Sequence, residues 1–446
     1  MYALYGWMAA LEKKEESDMK KLRSYFESPW FIIVTFTLTL LAWFIREAWV
    51  PMLYYVLFTF LIIVSKAKRI HIVTLLLSAL IIPRGGTFDE NVWIIVPTVF
   101  GIFFLLLRDF FRRPPHWKDE TVQAVLLLVL TGILSLVNVT KEFAHLSVAG
   151  IGQLAAFALV YIYFSSQNKE NNDKVITQNI FAMSIVIAIE FAIYILTYEG
   201  TILGKDIDLG WSQSNGIARL ALILIFFNMA GYIKNQLHSF YIIGAVANLV
   251  VILFTLSKGV YLAFAIIAIP LLVAAIYYAK DRKRLFIDLN IALFLIAVIV
   301  YSLFRIEKVA IGVVEYLESM NERGWFADEA RMEIYQSGWN TFLVYPIFGA
   351  GAYSPPFNLT YEISHYHNFF IQVIATTGLT GLLSFIFFLY SLIKKSMRKQ
   401  AYATMMILLV IALLIYGLVD HTWFNPIVMI LVLIGYSPLS HLRKPV

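Results

Sequence analysis

The chain has 446 residues, 60% of them hydrophobic and 14% charged, with a mean hydropathy of +0.76. Soluble domains carry about 45–50% apolar and about 25% charged residues, so this excess excludes a water-soluble core, a disordered chain and a coiled coil. No cysteine is present, which removes disulfides, thiol catalysis and thiolate metal sites, and the net charge of +6 lies in short Lys/Arg runs between apolar segments, the footprint of membrane orientation and not of nucleic-acid binding.

Residues 1–28 open with a brief apolar stretch followed by Lys13, Lys14, Glu15, Glu16, Lys20, Lys21 and Arg23, the reverse of a signal peptide's order and the pattern of an amphipathic cytoplasmic lead-in. Candidate spans then follow at about 29–45, 49–65, 70–83, 91–107, 121–138, 146–165, 175–198, 214–233, 238–255, 259–279 and 286–304. Residues 305–365 form a long connection, and further spans lie at about 366–393, 401–419 and 422–438 before a short tail. The expected fold is all-α and polytopic, with 12 to 14 crossings because the second to fourth segments are short or crowded. Lys66–Arg69, Arg108–Arg113, Lys280–Arg284 and Lys394–Lys399 then fall on one side, which places both termini in the cytoplasm.

The connection 305–365 is expected on the outer side and is not featureless. Val309, Val313 and Leu317 recur near helical spacing, as do Met332, Tyr335, Trp339 and Phe342 before Pro346. Two amphipathic helices at the outer surface are expected there, and an outer loop of this length with its own helices carries function.

Charges at span mouths are costly in a membrane and are functional candidates by default. Arg219 lies about one turn into the eighth span, Lys258 sits in the turn between the ninth and tenth, Arg331 heads the second loop helix and Arg323 precedes it. His365, His367 and Asn368 head the twelfth span, while Asp420 and His421 mark the turn before the last. All share one face in this topology. Each also has a plain alternative: Arg219 snorkelling to headgroups, Arg331 pairing with Asp328 or Glu329, and His367 as a capped interfacial histidine. Glu190, mid-span, reads as an interhelical hydrogen-bonding group, and Gly378 and Gly381 as helix packing.

Asp206-Ile207-Asp208 resembles an acidic metal pair, but two carboxylates beside Lys205 are thin grounds for one, and no Walker, dinucleotide or zinc motif occurs. Neither a cofactor nor a metal is expected. Cations with a histidine suit an anionic substrate that supplies its own leaving group, such as a lipid-linked sugar diphosphate. The remaining task is deprotonation of an acceptor hydroxyl, for which histidine is the usual base, and a helix N-terminus favours its neutral form.

Phe348-Gly349-Ala350-Gly351, His367-Asn368-Phe369-Phe370-Ile371-Gln372 and Gly378-Leu379-Thr380-Gly381 resemble the pattern of the bacterial O-antigen ligase and O-antigen polymerase superfamily. The likeness extends to Gln213-Ser214-Asn215 with Ala218, to Ser257-Lys258-Gly259 and to Arg331 with Ile334-Tyr335, and covers roughly residues 195–395. The family usually has Arg at position 258, so Lys258 keeps the charge but loses the bidentate fork. The resemblance implies a GT-C-like, metal-independent, inverting glycosyltransferase at the outer face of a bacterial inner membrane, using an undecaprenyl-diphosphate-linked oligosaccharide. It implies His367 as general base and Arg219, Arg331 and Lys258 as diphosphate contacts, with His365, Asn368, Asn215 and Arg323 as supporting or acceptor contacts.

A surface-polysaccharide polymerase is the first expectation, acting among membrane lipids and served by a chain-length-regulating protein. A ligase to lipid A–core is the alternative. A lipid-linked oligosaccharide flippase and an export-assembly scaffold are rivals of other classes. Against the flippase stand the absence of a paired half-repeat and the placement of the cations at one face, where transporters use the midplane.

Overall fold

The computed structural model describes residues 17–47, 49–82, 100–105, 117–166, 172–198, 207–234, 239–323, 329–353, 365–398, 400–420 and 422–441. These form helices joined by short turns; among the described residues the only β pairing is an isolated bridge between Asp208 and Gln213. The first is α1 (Ser17–Phe26), bent 64° from α2 (Pro29–Ile45). There follow α3 (Trp49–Ser65), α4 (Ile72–Ala79), the helical residues 100–105 (α5), α6 (Glu120–Leu134), α7 (Ala144–Ser165) and α8 (Asn172–Thr197). The second half comprises α9 (Ser214–Lys234), α10 (Phe240–Thr255), α11 (Lys258–Tyr278), α12 (Arg282–Phe304), α13 (Glu307–Arg323), α14 (Glu329–Val344), α15 (Phe369–Ser396), α16 (Ala401–Gly417) and α17 (Pro426–Tyr436).

Seven of the described helices are long and apolar enough to cross a bilayer, or eight if the bent α1–α2 pair is one span, and α3, α10, α16 and α17 are shorter apolar helices. The chain is an all-α, polytopic integral membrane protein. Of the expected span 70–83, residues 70 and 71 end a short 3-10 turn, and α4 supplies eight α-helical residues, all of them buried. At 1.5 Å per residue they reach about 12 Å, well short of the hydrocarbon thickness. Of the expected span 91–107, only residues 100–105 are described.

Two helices show the extremes of the bundle. Every residue of α9 from Ile217 to Ile233 is buried, as expected of a helix apolar on all sides. In α12 only Leu285, Asp288 and Ala292 are buried, leaving Phe286, Leu293, Phe294 and Tyr301 outward for lipid. Arg219 therefore sits on the most enclosed of the seven long spans among the described residues.

The helix ends follow capping chemistry. Asp119, Asp281, Asn368 and Asn425 each accept hydrogen bonds from backbone N–H groups at the starts of α6, α12, α15 and α17. At the bundle end away from Arg219, Asp119 also meets Lys395 of α15, with both carboxylate oxygens 2.7 Å from Nζ. Ser440, 3.0 Å from that ammonium, and Tyr161 complete this cluster. Burial pushes the Asp119 carboxyl up, but the adjoining Lys395 ammonium outweighs this and holds it below its ordinary value.

Gly378 and Gly381 lie in α15, and Gly378 does more than pack: α15 breaks there, at φ 64° and ψ −158°. Segment 346–351 lies in the break and takes up the freed backbone groups. Ala350 and Gly351 N–H donate to Ala375 and Thr376 C=O at 2.9 and 3.0 Å, and Leu379 and Thr380 N–H donate to Pro346 and Ile347 C=O at 2.9 and 3.1 Å. Irregular backbone at membrane depth is tolerated only when satisfied inside protein in this way. The approach leaves no room for a side chain: a Cβ on Gly349 would lie 2.3 Å from the Thr376–Thr377 backbone, and one on Gly378 would lie 2.5 Å from Ile347.

The two loop helices each pack on the bundle by part of their surface. α13 buries Val309 and Tyr316, leaving Leu317 47% exposed. α14 packs on α15 through Ile334, Gly338 and Thr341, while Met332 and Trp339 turn outward. The narrow Gly338 face permits the close approach to Ile371 and Tyr366 that a larger residue would block.

Gly349→Ala and Gly378→Ala are each expected to cost more than about 1 kcal/mol, read as a lower thermal midpoint in detergent. Gly152→Ala, whose added Cβ meets nothing within 4 Å, should melt like the parent. Because the folded Asp119 carboxyl is depressed, its contribution is present above the ordinary carboxylate value of about 4 and is lost as pH falls through the folded value. Asp119→Asn should therefore melt lower than wild type at pH 7 and converge with it near the acid limit.

Candidate functional site

α16 ends at Gly417, and the turn after it, residues 418–420, gathers side chains from three other segments. A helix C-terminus leaves carbonyls without intrahelical partners and carries partial negative charge. Asn368 Nδ2 donates to Leu418 O at 2.8 Å, and Arg331 Nη1 donates to Val419 O at 3.2 Å. Asn368 Oδ1 meanwhile accepts from Phe370 and Ile371 N–H at 2.9 and 3.1 Å. One side chain thus caps the start of α15 and the end of α16.

Asp420 completes the turn with a buried carboxylate. Its Oδ2 accepts from the Tyr416 hydroxyl at 2.6 Å and lies 3.9 Å from Arg219 Nη1; its Oδ1 lies 3.4 Å from His367 Nδ1. Arg219 and Asp420 are nearly enclosed, with side chains 7% and 10% exposed, whereas His367 is 31% exposed and opens to the exterior of the bundle. His367 has φ 47°, a left-handed conformation rare for a residue with a side chain and common where function over-determines geometry. The Tyr335 hydroxyl of α14 donates to its carbonyl at 3.3 Å, holding the turn from the other side. The His365 ring lies 4.3 Å from that of His367 between centroids, tilted by 57°.

The α10–α11 turn is fixed next to this centre. Leu256 takes a left-handed conformation at φ 51°, and Tyr316 of α13 donates to its carbonyl at 2.7 Å. Lys258 then opens α11 in an exposed position. Its neighbour Gly259 packs so closely on α16 that a Cβ would come within 2.6 Å of Val419 and 2.9 Å of Tyr416. The two loop helices therefore have parallel tasks: α13 holds the turn bearing Lys258, and α14 supplies Arg331 and steadies His367.

Of the residues singled out in the sequence, Arg219, Arg331, His365, His367 and Asn368 converge on the 418–420 turn, and Lys258 lies against its flank. Asn215 is exposed one turn before Arg219 on α9. The side chain of Arg323, together with Asp206 and His421, falls outside the described residues. Asp208 takes part in a local turn, accepting from Gly210 N–H at 2.7 Å. Asp420 carried little weight in the sequence because an acid at a span mouth is common, and its two charged or titratable partners, Arg219 and His367, lie far away along the chain. Tyr416 gave no sequence signal, being one tyrosine among 25.

His365, His367 and Asp420 present ligand atoms within 4.8 Å of one another, a trio that could hold a metal ion. Arg219, Arg331 and Lys258 nearby make the surroundings cationic, which disfavours a divalent cation and favours an anion with several oxygens. A half-exposed imidazole facing a carboxylate on one nitrogen, beside such cations, can move a proton next to a bound diphosphate.

The O-antigen ligase family pattern matches residues 243–386 of the chain, which run from within α10 to within α15 and include His367. The chain is also similar to an O-antigen ligase of Escherichia coli (strain K12), at 23% identity over 351 residues, covering 71% of this chain and 80% of that protein. Both findings support the O-antigen ligase and O-antigen polymerase superfamily, and with it a glycosyl-transfer enzyme of the membrane.

Asp420→Ala should cost about 2–4 kcal/mol, because the buried Tyr416 hydroxyl loses its acceptor and Arg219 loses the carboxylate beside it. Asp420→Asn retains an oxygen for Tyr416 and should cost less. Thermal unfolding of both variants at matched ionic strength checks the order; equal midpoints would show that the carboxylate does not organise this turn.

Proposed function

Starting from that superfamily, we propose that this protein transfers an oligosaccharide from an undecaprenyl-diphosphate-linked donor to a glycan acceptor, by direct displacement and without metal. The observation that supports it above the others is the pairing of His367 with Asp420 at 3.4 Å beside the buried Arg219. Asp420 favours a proton on His367 Nδ1, which leaves Nε2 to accept the acceptor's hydroxyl proton. The acceptor oxygen attacks the anomeric carbon as the bond from that carbon to the diphosphate oxygen breaks. The electron pair leaves with the diphosphate, and Arg219, Arg331 and Lys258 take up the developing charge. Attack opposite the leaving group inverts the anomeric centre.

Burial of Arg219 strengthens its grip, since charge pairing gains as water is excluded. Lys258, exposed and monodentate, is the weaker contact. His365, its ring in contact with that of His367, bounds the acceptor side, and Asn215, exposed in the first turn of α9, is assigned a supporting contact. Arg323 is assigned a supporting contact by resemblance alone. The site belongs on the periplasmic face of the inner membrane with both termini cytoplasmic, as the Lys/Arg distribution indicates. In that orientation residues 1–28 are the cytoplasmic lead-in and residues 305–365 the outer loop, with spans on either side.

Two acceptors fit this chemistry. In a polymerase the acceptor is another repeat-bearing glycan, with a chain-length-regulating protein as partner. In a ligase it is lipid A–core, a reading favoured by the description that both matches carry. Purified protein in nanodiscs, given the lipid-linked donor in EDTA, should form a ladder from donor alone if it is a polymerase, or a single shifted product with lipid A–core if it is a ligase. His367→Ala should lower the rate by about 10²–10⁴-fold, the usual worth of a general base. Product from His367→Ala at the parental rate would sink the base assignment. Loss of product in EDTA that returns with a divalent cation would sink the metal-free mechanism.

A further inference from the structure

We infer that Glu190 of α8, through its hydrogen bond to Trp211, is a positioning residue that sets Arg219 at the diphosphate site. The inference deepens the proposed function and rests on Arg219 holding an anionic leaving group. Glu190 is fully enclosed, about 10 Å below the end of α8 by helical rise. Its Oε2 accepts from the Trp211 indole N–H at 2.8 Å, while Oε1 has no hydrogen-bond partner among the described residues. A carboxyl group at such a depth is costly, and a single indole partner offsets only part of that cost. Its retention calls for a task, and Trp211 indicates which.

Trp211 belongs to a compact hairpin, residues 207–213, that runs directly into α9. The Asp208–Gln213 bridge, the Leu209 N–H to Ser212 C=O bond of 3.2 Å and Gly210 at φ 82° make it a tight turn. Two indoles pin it from below. Trp43 of α2 donates to Leu209 O at 2.8 Å, and Trp211, itself buried, plugs back onto Glu190. The hairpin ends where α9 begins, with Ile217 N–H on Gln213 O at 3.0 Å. Ser212 Oγ presses on Gly216, 1.9 Å from where a Cβ would stand, and Arg219 Nη2 is within van der Waals reach of the same point at 3.7 Å. The Arg219 side chain thus lies back along the first turn of α9, the turn that the hairpin leads into and that Ser212 packs against. A hairpin displaced from Glu190 and Trp43 would carry that turn, and the guanidinium over it, with it.

The test uses full-length protein in nanodiscs and reads both the affinity for undecaprenyl diphosphate and the rate of glycan transfer. Trp211→Phe removes only the N–H, Glu190→Leu removes the acceptor, and Glu190→Gln keeps an oxygen that can accept. Trp211→Phe and Glu190→Leu should each weaken binding by about tenfold, Glu190→Gln should bind within about twofold of wild type, and neither loss should appear in an Arg219→Ala background. An equal loss in both backgrounds, or parental binding by Glu190→Leu and Trp211→Phe, overturns the inference. If Glu190→Leu does not fold, Trp211→Phe carries the same test. Binding with the expected pattern but no transfer by wild type would refute the transferase and leave the positioning role standing. No binding by wild type would refute both.

Discussion

The carboxylate of Asp420 and the two carbonyls before it are the constraint on which the site depends. A helix that ends inside a membrane protein must satisfy its last carbonyls without water. Here the groups that satisfy them come from the segments that carry the cations and the histidine. Arg331 and Asn368 cap α16 at Val419 and Leu418, and Arg219, His367 and Tyr416 surround Asp420. The same contacts that stop α16 therefore bring α9, α14 and the start of α15 to one point, with α11 packed against its side through Gly259. Fold and site share their contacts here, so the two cannot be perturbed independently.

The break in α15 serves the same point from within the bundle. A continuous helix would run unbroken past residues 346–351; at Gly378 the backbone departs from the helix and exchanges hydrogen bonds with them. That exchange ties the end of α14 to the helix whose first turn follows His367, while Tyr335 and Gly338 tie their facing surfaces. Glycine is required at 349 and 378 because backbone meets backbone there, not because helices slide past one another. At the far end of α15, the Asp119–Lys395 pair and the Tyr161 and Ser440 hydroxyls fix the same helix against α6, α7 and the C-terminal turn.

Hydropathy and charge runs made the membrane class and most of the helices legible. Helices α2, α3 and α6 to α12 lie close to the expected segments because twenty or so apolar residues admit little else in a bilayer. Segment 70–83 was misleading because a run of apolar residues reads alike whether it faces lipid or protein, and α4 faces protein on every side. The loop helices lie where spacing placed them. On α14 large apolar residues such as Met332 and Trp339 turn outward, and small ones such as Gly338 make the protein contact.

Sequence by itself determined the residue types at the site: cations and histidines at the mouths of spans, where their cost in a membrane marks them, and glycines in motifs that resemble a family. Arg219, Arg331, His367 and Lys258 were legible for that reason. Tertiary structure alone decided their partners. Asp420 is separated from Arg219 by 201 residues and from His367 by 53, and no local spacing connects them. Glu190 became interpretable only once Trp211 was seen to meet it across a hairpin. Membrane cost is a property of one residue and its immediate neighbours, so it is written in the chain; hydrogen-bond partnership is a property of two segments, and only packing brings them together.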